Sequence, residues 1–240
     1  MFLVFILILI YIYLYMSPWI EHVKKYAAEN GISYKEALSE ASASYKKVSG
    51  GSLDSKTLKK ALNGSYETEN KDIDDFKVDE HLSGRRVKVY NNPLTNQTIV
   101  SHRGTASLKD WGTDGLMAVG IENTNRFKHS KKIQKEAEKK YGKDNISTVG
   151  HSLGARLSEK YGDNSKEIIT LNKPTTLRTA GKRISNKQTD IRSSRDVVSL
   201  LHGTGKKNKH EDTVKARTFN PLKEHGLNIL NRRKNTVYGR

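Results

Sequence analysis

The sequence contains no cysteine, and this absence removes several classes of chemistry at once. A chain without cysteine forms no disulfide, holds no thiolate zinc site and has no cysteine nucleophile, so nothing in it requires an oxidising compartment. No internal repeat is visible, and His22, His81 and His129 have no metal-ligand spacing with one another. At 240 residues the chain is nevertheless long enough to bury a substantial core without disulfides or a structural metal.

Acidic side chains are scarce relative to basic ones, since 26 Asp and Glu stand against 43 Lys and Arg and give a formal net charge of +17. Such a charge favours anionic partners, which include nucleic acid, anionic phospholipid and acidic protein. The basic residues become denser late in the chain, and they lack the interleaved aromatic residues that would stack on bases. The composition leaves open whether they form a binding surface or only solvated loops.

Charged side chains are absent from the first sixteen residues, MFLVFILILIYIYLYM. This length is near the lower limit for a helix that spans a bilayer, and Lys24 and Lys25 behind it would leave the remainder in the cytosol. The segment lacks the basic start and the small-residue cleavage site of a secretory signal. Two interpretations remain: residues 1–16 are a membrane anchor, or Met16 is the initiator and the protein is cytosolic.

A small helical region is predicted between residues 17 and 65. Pro18 suits the first position of one helix, and Ser33 with Glu36 has the capping-box spacing of a second. A third short helix is expected between 54 and 64.

The stretch that starts at Ser17, SPWIEHVKKYAAENGISYKEALSEASASYKK, resembles a short helical segment found at the start of many unrelated proteins encoded by large DNA viruses. In those proteins the segment commonly follows a methionine. The resemblance implies a viral protein of a host cell or virion. We therefore expect three parts: a hydrophobic segment 1–16, a helical appendage 17–65 and a larger domain 73–240.

Strand and helix patterns alternate in the larger domain. The predicted strands are 87–90, 98–101, 146–149, 167–171 and 189–192. A helix over 130–141 places Ile133, Ala137 and Tyr141 on one face, and a second helix is predicted over 155–161. Alternation of this kind predicts an α/β fold with a mostly parallel sheet and flanking helices, in which reactive groups collect at the carboxyl ends of strands.

Ser152 stands in GHSLG, residues 150–154, between a predicted strand and a predicted helix. A serine hydroxyl is a poor nucleophile until a neighbouring base takes its proton. A tight strand-to-helix turn needs small residues two before and two after the serine, because the backbones crowd there. The same turn leaves the N–H of Leu153 at a helix N-terminus, where it can stabilise an oxyanion. The pattern therefore predicts a nucleophile at Ser152 and an oxyanion donor at Leu153.

The GHSLG stretch resembles the class 3 lipases, a branch of the α/β-hydrolases, and a second block agrees with it. The sequence SHRGTASLKDWGTDGL, from Ser101 to Leu116, is similar to the family's Arg-Gly-(Ser/Thr) loop followed by Asp-Trp and a further Asp. In that family the residue after Arg-Gly supplies the other oxyanion donor, which is Thr105 here. We expect Arg103 to pair with a carboxylate, and the region after Asp114 to form the lid or the wall of the acyl site.

The resemblance also implies an acid and a histidine that follow the serine in that order. Asp190 and Asp196 compete for the acid, and Asp196 is preferred because it lies beyond the predicted strand, in a segment that looks like the family's Asp-containing loop. His202, His210 and His225 compete for the base. His225 is preferred because KEHGLNIL resembles the family's His-containing loop ahead of a final helix.

The resulting expectation is an α/β-hydrolase-like enzyme, a lipase or phospholipase type of carboxylic ester hydrolase. It would cleave phospholipid or acylglycerol esters through an acyl-enzyme on Ser152, with Asp196 and His225, and it would need no cofactor and no metal. Its basic surface suits an anionic lipid or membrane-surface substrate. The alternative is a catalytically inactive basic protein, associated with the virion or with nucleic acid, that keeps the hydrolase scaffold.

Overall fold

The computed structural model describes residues 18–44, 53–105, 125–175, 185–196, 211–233 and 236–238. The chain divides into two compact units, of which the first comprises Met1–Gly50 and Asn92–Asn96 and the second comprises Gly51–Asn91 and Gln97–Arg240. The hydrophobic segment 1–16 lies outside the described residues. Within the residues that are described, no helix is long and apolar enough to cross a membrane.

The described residues of the first unit form two helices, α1 (Pro18–Asn30) and α2 (Tyr34–Ser44). The predicted capping box starts α2: the N–H of Ser33 donates to Oε2 of Glu36 at 2.9 Å, and the N–H of Glu36 donates to Oγ of Ser33 at 3.2 Å. The two helices share a small buried cluster of Val23, Ala37 and Ala41. The expected helical N-terminal region is therefore present.

Strands of the second unit form a mostly parallel sheet. In chain order the described strands are β1 (Leu53–Asp54), β2 (Lys77–Val78), β3 (Val87–Asn91), β4 (Thr98–His102), β5 (Ile146–His151), β6 (Glu167–Leu171), β7 (Gln188–Ser193), β8 (Glu211–Val214) and β9 (Val237–Tyr238). Strands β2 to β8 are neighbours in that order; β2, β3 and β4 pair antiparallel, and β4 to β8 pair in parallel. Strands β1 and β9 form a separate antiparallel pair. The predicted mostly parallel sheet is confirmed.

Helices cover both faces of this sheet. The described helices of the second unit are α3 (Ser55–Gly64), α4 (Asn125–Tyr141), α5 (Leu153–Tyr161) and α6 (Pro221–His225), with 3₁₀ turns at Lys143–Asn145 and Leu227–Arg233. Side chains alternate across a strand, so Val87 and Val89 cluster with Ile133 of α4, whereas Tyr90 and Ile99 belong to the cluster that includes α3. The expected flanking helices are confirmed.

The helix α3 belongs to the core of the second unit and not to the helical appendage 17–65 expected from the sequence. Asp54 caps it as expected, because its side chain accepts the N–H groups of Lys56 and Thr57. Its apolar residues recur at helical spacing and are fully buried: Leu58, Ala61 and Leu62. Burial of a leucine side chain contributes about 2 kcal/mol, so this face holds the helix on the sheet.

Parallel pairing brings three chain segments to one edge of the sheet. His151, the last residue of β5, is in register with Leu171, the last residue of β6, and Leu171 is in register with Ile191 of β7. The residues that follow these strand ends, among them Ser152 and Asp196, therefore leave the sheet along the same edge.

Candidate active site

Ser152 forms the sharp turn between β5 and α5. Its φ of 56° and ψ of −128° put a residue with a side chain in the left-handed region, at a cost on the order of 1–3 kcal/mol. Backbone hydrogen bonds fix the turn, because the N–H of Ser152 donates to the carbonyl of Leu171 at 3.0 Å and the N–H of Ala155 donates to the carbonyl of Ser152 at 2.9 Å. The chain thus holds this serine in a strained conformation at the carboxyl end of β5.

The two glycines of GHSLG are required by close backbone contacts. A Cβ added to Gly150 would lie 2.3 Å from the carbonyl carbon of Gly154, and one added to Gly154 would lie 2.0 Å from the carbonyl oxygen of His102. Neither distance is tolerated by a real Cβ atom. The spacing of small residues therefore has the physical cause inferred from the sequence, which is the crowding of strand, turn and helix.

The hydroxyl of Ser152 is buried, with 1% of the residue exposed. Within the part of the chain that the structure describes, its Oγ has no hydrogen-bond partner. Native proteins satisfy nearly all buried polar groups, and each exception asks for an explanation, of which a catalytic role is one.

Asp196 and His225 form a buried pair. Nδ1–H of His225 donates to Oδ1 of Asp196 at 2.7 Å, and both side chains are fully buried. This contact puts the proton of the neutral ring on Nδ1 and leaves Nε2 as the basic nitrogen. Asp196 follows β7 and His225 ends α6, so the two side chains meet only because α6 packs on β7.

His151 connects Ser152, its neighbour in the chain, to His225. The rings of His151 and His225 lie 4.9 Å apart, and Nε2–H of His151 donates to the carbonyl of His225 at 2.7 Å. Burial lowers the pKa of His151 to about 3, so its ring is neutral. A carbonyl oxygen can only accept, so Nδ1 of His151 carries no proton and is itself an acceptor.

Tyr66 supplies the donor that this nitrogen needs, since its hydroxyl lies 2.7 Å from Nδ1 of His151. Burial raises the pKa of Tyr66 to about 12, which keeps the hydroxyl protonated. A hydrogen-bonded chain therefore runs from Tyr66 through His151 to the backbone of His225. Tyr66 is not predicted from the sequence, because it stands just before an acidic stretch and belongs to no motif.

The loop of Arg103, Gly104 and Thr105 lies against Ser152. A Cβ added to Gly104 would be 3.2 Å from Cβ of Ser152 and 2.6 Å from the carbonyl oxygen of His151. Arg126 of α4 donates to the carbonyls of Arg103 and Gly104, and burial lowers the pKa of this arginine to about 10. The backbone that carries Thr105 is therefore held beside the serine.

The other predicted oxyanion donor, the N–H of Leu153, belongs to the first turn of α5, where N–H groups have no partner inside their own helix. The expected carboxylate partner of Arg103 is not found among the described contacts. Its guanidinium instead donates to the carbonyl of Arg85 at 3.2 Å and stacks on the ring of Tyr66 at 5.4 Å.

Asp190, the other candidate acid, is hydrogen-bonded to side chains of the sheet and its surroundings. It lies inside β7, where its carboxylate accepts from Thr170, from Nε2 of Gln188 at 2.8 Å and from Nζ of Lys173 at 3.2 Å. These bonds hold a buried polar cluster between strands. The structure thus brings Asp196 to His225 and leaves Asp190 in the sheet.

Asn172 and Glu224 hold the segment of His225 in place, and neither is predicted from the sequence. Nδ2 of Asn172 donates to the carbonyl of His225 at 2.7 Å, and its Oδ1 accepts the N–H of Ser193 at 3.0 Å. Arg232 pairs with both oxygens of Glu224 and lowers the pKa of this buried carboxyl to about 2. No sequence signal marks either residue, since each acts through contacts distant in the chain.

Some predicted features lie outside the described residues: His202, His210, the Asp-Trp part of the second block and the segment expected to form the lid. Among the residues that are described, no group of His, Asp and Glu could hold a metal ion. A cavity of about 460 Å³ lies between α3 and the 3₁₀ turn Leu227–Arg233, and its lining includes neither Ser152 nor His225.

Comparison with solved structures finds similar chains at low sequence identity. Lip2 lipase from Yarrowia lipolytica is 16% identical, with 79% of this chain and 86% of that chain covered and a TM-score of 0.48. A triacylglycerol lipase from Penicillium expansum is 16% identical, with 68% and 81% covered and a TM-score of 0.42. The Rhizomucor miehei lipase propeptide complex is 13% identical, with 61% and 60% covered and a TM-score of 0.36. No protein-family model and no curated protein matches the chain.

Proposed function

We propose that this protein is a serine hydrolase that cleaves carboxylic esters of lipids through an acyl-enzyme on Ser152. The observation that carries the proposal is the buried 2.7 Å hydrogen bond between Asp196 and His225, on the same sheet edge as the strained turn of Ser152. A buried carboxylate that orients an imidazole, together with an elbow serine, is the arrangement that acyl transfer needs.

In the proposed reaction, Nε2 of His225 takes the proton of Ser152 as the serine oxygen attacks the ester carbonyl. Asp196 stabilises the imidazolium that forms, and the N–H groups of Thr105 and Leu153 bind the oxyanion of the tetrahedral intermediate. His225 then returns the proton to the leaving alcohol. Water attacks the acyl-enzyme with His225 as the base, which releases the carboxylic acid and restores the serine.

The lipid substrate is proposed from the sequence blocks 101–116 and 147–162, which resemble class 3 lipases. Phospholipid or acylglycerol is the proposed substrate class, and the net charge of +17 favours an anionic lipid surface. No cofactor takes part in the proposed reaction, because every proton transfer is assigned to a side chain or to water.

A fluorophosphonate probe tests the nucleophile without knowledge of the lipid. We expect labelling on the peptide that contains residues 147–162, and we expect it to disappear in Ser152→Ala and to be unchanged in Ser39→Ala, an exposed serine of α2. Hydrolysis of a short soluble ester should follow the same pattern. A folded protein that neither reacts with the probe nor hydrolyses the ester, but binds nucleic acid in a salt-dependent manner, would instead support the inactive basic protein.

A further inference from the structure

The two segments that carry Asp196 and His225 expose large apolar and basic side chains to solvent. Phe219 is 89% exposed and Leu222 is 49% exposed, although both belong to the second unit. The guanidinium of Arg195 lies 4.1 Å from the centre of the Phe219 ring. We call the exposed side chains of Arg195, Arg217, Phe219, Leu222 and Lys223 the basic–aromatic surface.

Buried contacts fix the backbone of this surface from within. Oε1 of Glu224 accepts the N–H groups of Arg217 and Thr218, both at 3.0 Å. The side chain of Asn220 caps α6 by accepting the N–H groups of Leu222 and Lys223. Phe219 is therefore presented to solvent by a held loop and not by a loose one.

Charge on this surface has one sign. Residues 213–223 contain Lys215, Arg217 and Lys223 and no acidic residue, and Arg195 adds a further cation. The nearest acidic neighbours in the chain are already bonded: Asp196 to His225, Asp212 to Arg233 and Glu224 to Arg232. The surface thus combines two apolar side chains with cations for which the described residues supply no ion-pair partner.

We propose that the basic–aromatic surface docks on an anionic phospholipid bilayer. An aromatic ring and an aliphatic side chain enter the interfacial layer, while Arg and Lys bind the phosphates of the headgroups. A second copy of this chain is disfavoured as the occupant because both copies carry +17. Nucleic acid is disfavoured because this surface offers the single ring of Phe219 for stacking, whereas Leu222 adds an aliphatic side chain that does not stack on a base.

Position gives this docking a consequence for catalysis. Arg195 directly precedes Asp196, and Leu222 and Lys223 lie in α6, the helix that ends at His225. A bilayer bound at this surface would therefore lie next to the acid–base pair. This consequence rests on the proposed function, whereas the binding itself does not.

A single fluorescent label tests the docking, and the absence of cysteine makes the labelling site unique. Leu222→Cys in the full chain would carry an environment-sensitive fluorophore, with Val237→Cys, another exposed apolar position, as the matched control. Vesicles of dialkyl ether phosphatidylcholine, with and without the ether form of phosphatidylserine, contain no ester that the protein could cleave. We expect a blue shift and a several-fold rise in emission at position 222 with the anionic vesicles, and no change at position 237.

Removal of charge tests the cations. The triple variant Arg195→Gln, Arg217→Gln, Lys223→Gln should weaken the vesicle response at position 222 about tenfold or more. The control triple Lys131→Gln, Lys135→Gln, Lys139→Gln removes the same charge from the exposed side of α4 and should change it little.

Equal responses at positions 222 and 237, or equal weakening by both triples, would overturn the proposal, as would a response to single-stranded RNA but not to vesicles. Hydrolysis of a short soluble ester is measured on the same proteins. Vesicle docking without esterase activity would retain this inference and reject the proposed function, and activity without docking would do the reverse.

Discussion

Oδ1 of Asp196 lies 2.7 Å from Nδ1 of His225, across 29 positions of the chain. Both groups are fully buried, so neither can exchange this bond for one with water. The carboxylate sets the tautomer of the ring and leaves Nε2 as the nitrogen that can take a proton. This relationship carries the proposed chemistry, and it makes the role of Asp196 testable against that of Asp190.

Asp196→Asn should lower kcat for a soluble ester by about 10⁴-fold, because an amide that donates to Nδ1 favours the wrong tautomer of His225. Asp190→Asn is the matched control. It weakens the buried contact with Lys173 and should lower the free energy of unfolding while kcat stays near that of the wild type. The opposite pattern of the two variants would assign the acid to Asp190.

Gly154→Ala should destabilise the protein by about 1–3 kcal/mol and abolish reaction with a fluorophosphonate, because the new methyl group would lie 2.0 Å from the carbonyl oxygen of His102. Urea unfolding and probe labelling measure the two effects. Gly84→Ala serves as the control, since a Cβ there meets nothing within 4 Å. Equal stability of the two variants would contradict the close contact at the turn.

Tyr66→Phe should lower kcat about tenfold with little change in KM, since loss of one hydrogen bond costs about 1–3 kcal/mol and here frees the ring of His151 next to Ser152. Tyr66 would position the ring of His151 without touching the substrate. The decrease in kcat should therefore exceed the decrease caused by removing a hydroxyl elsewhere in the protein. Tyr141→Phe removes the hydroxyl that donates to Asp79 at 2.7 Å and should affect only the free energy of unfolding. Equal kcat values for the two variants would reduce Tyr66 to a structural role.

Glu167 should make the protein less stable as the pH rises. Burial raises its pKa to about 7, above the ordinary value of a glutamate, so the folded state binds the proton more tightly than the unfolded state does. The stabilisation from this proton is complete below pH 4.5 and is lost as the pH rises towards 7. Glu167→Gln, which keeps a neutral acceptor for Ser147, should be more stable than the wild type by up to about 3 kcal/mol at pH 8.

Urea unfolding at pH 5 and at pH 8 measures this effect on both proteins. The two should have similar free energies of unfolding at pH 5 and should diverge at pH 8. A constant difference between them across this interval would show that Glu167 does not titrate there.

Much of the local structure could be predicted from the sequence because its causes are local. The capping box of Ser33 and Glu36 and the cap at Asp54 depend on residues three positions apart or fewer. The G-x-S-x-G spacing predicts a crowded turn because Gly150 and Gly154 are near in the chain as well as in space. The sequence does not show where α3 packs, because a helical pattern indicates which face is buried but not which element packs against that face.

The sequence by itself determined the alternation of strands and helices, the turn at Ser152 and the set of acids and histidines that could serve it. Only the tertiary structure shows where the two candidate acids lie: Asp190 is in a buried ion cluster, and Asp196 is against His225. It also places the hydroxyl of Tyr66 within hydrogen-bond distance of Nδ1 of His151, 85 positions away in the chain. The physical reason is that such hydrogen bonds form when packing of separate segments excludes water and fixes their distance, and no local propensity encodes that.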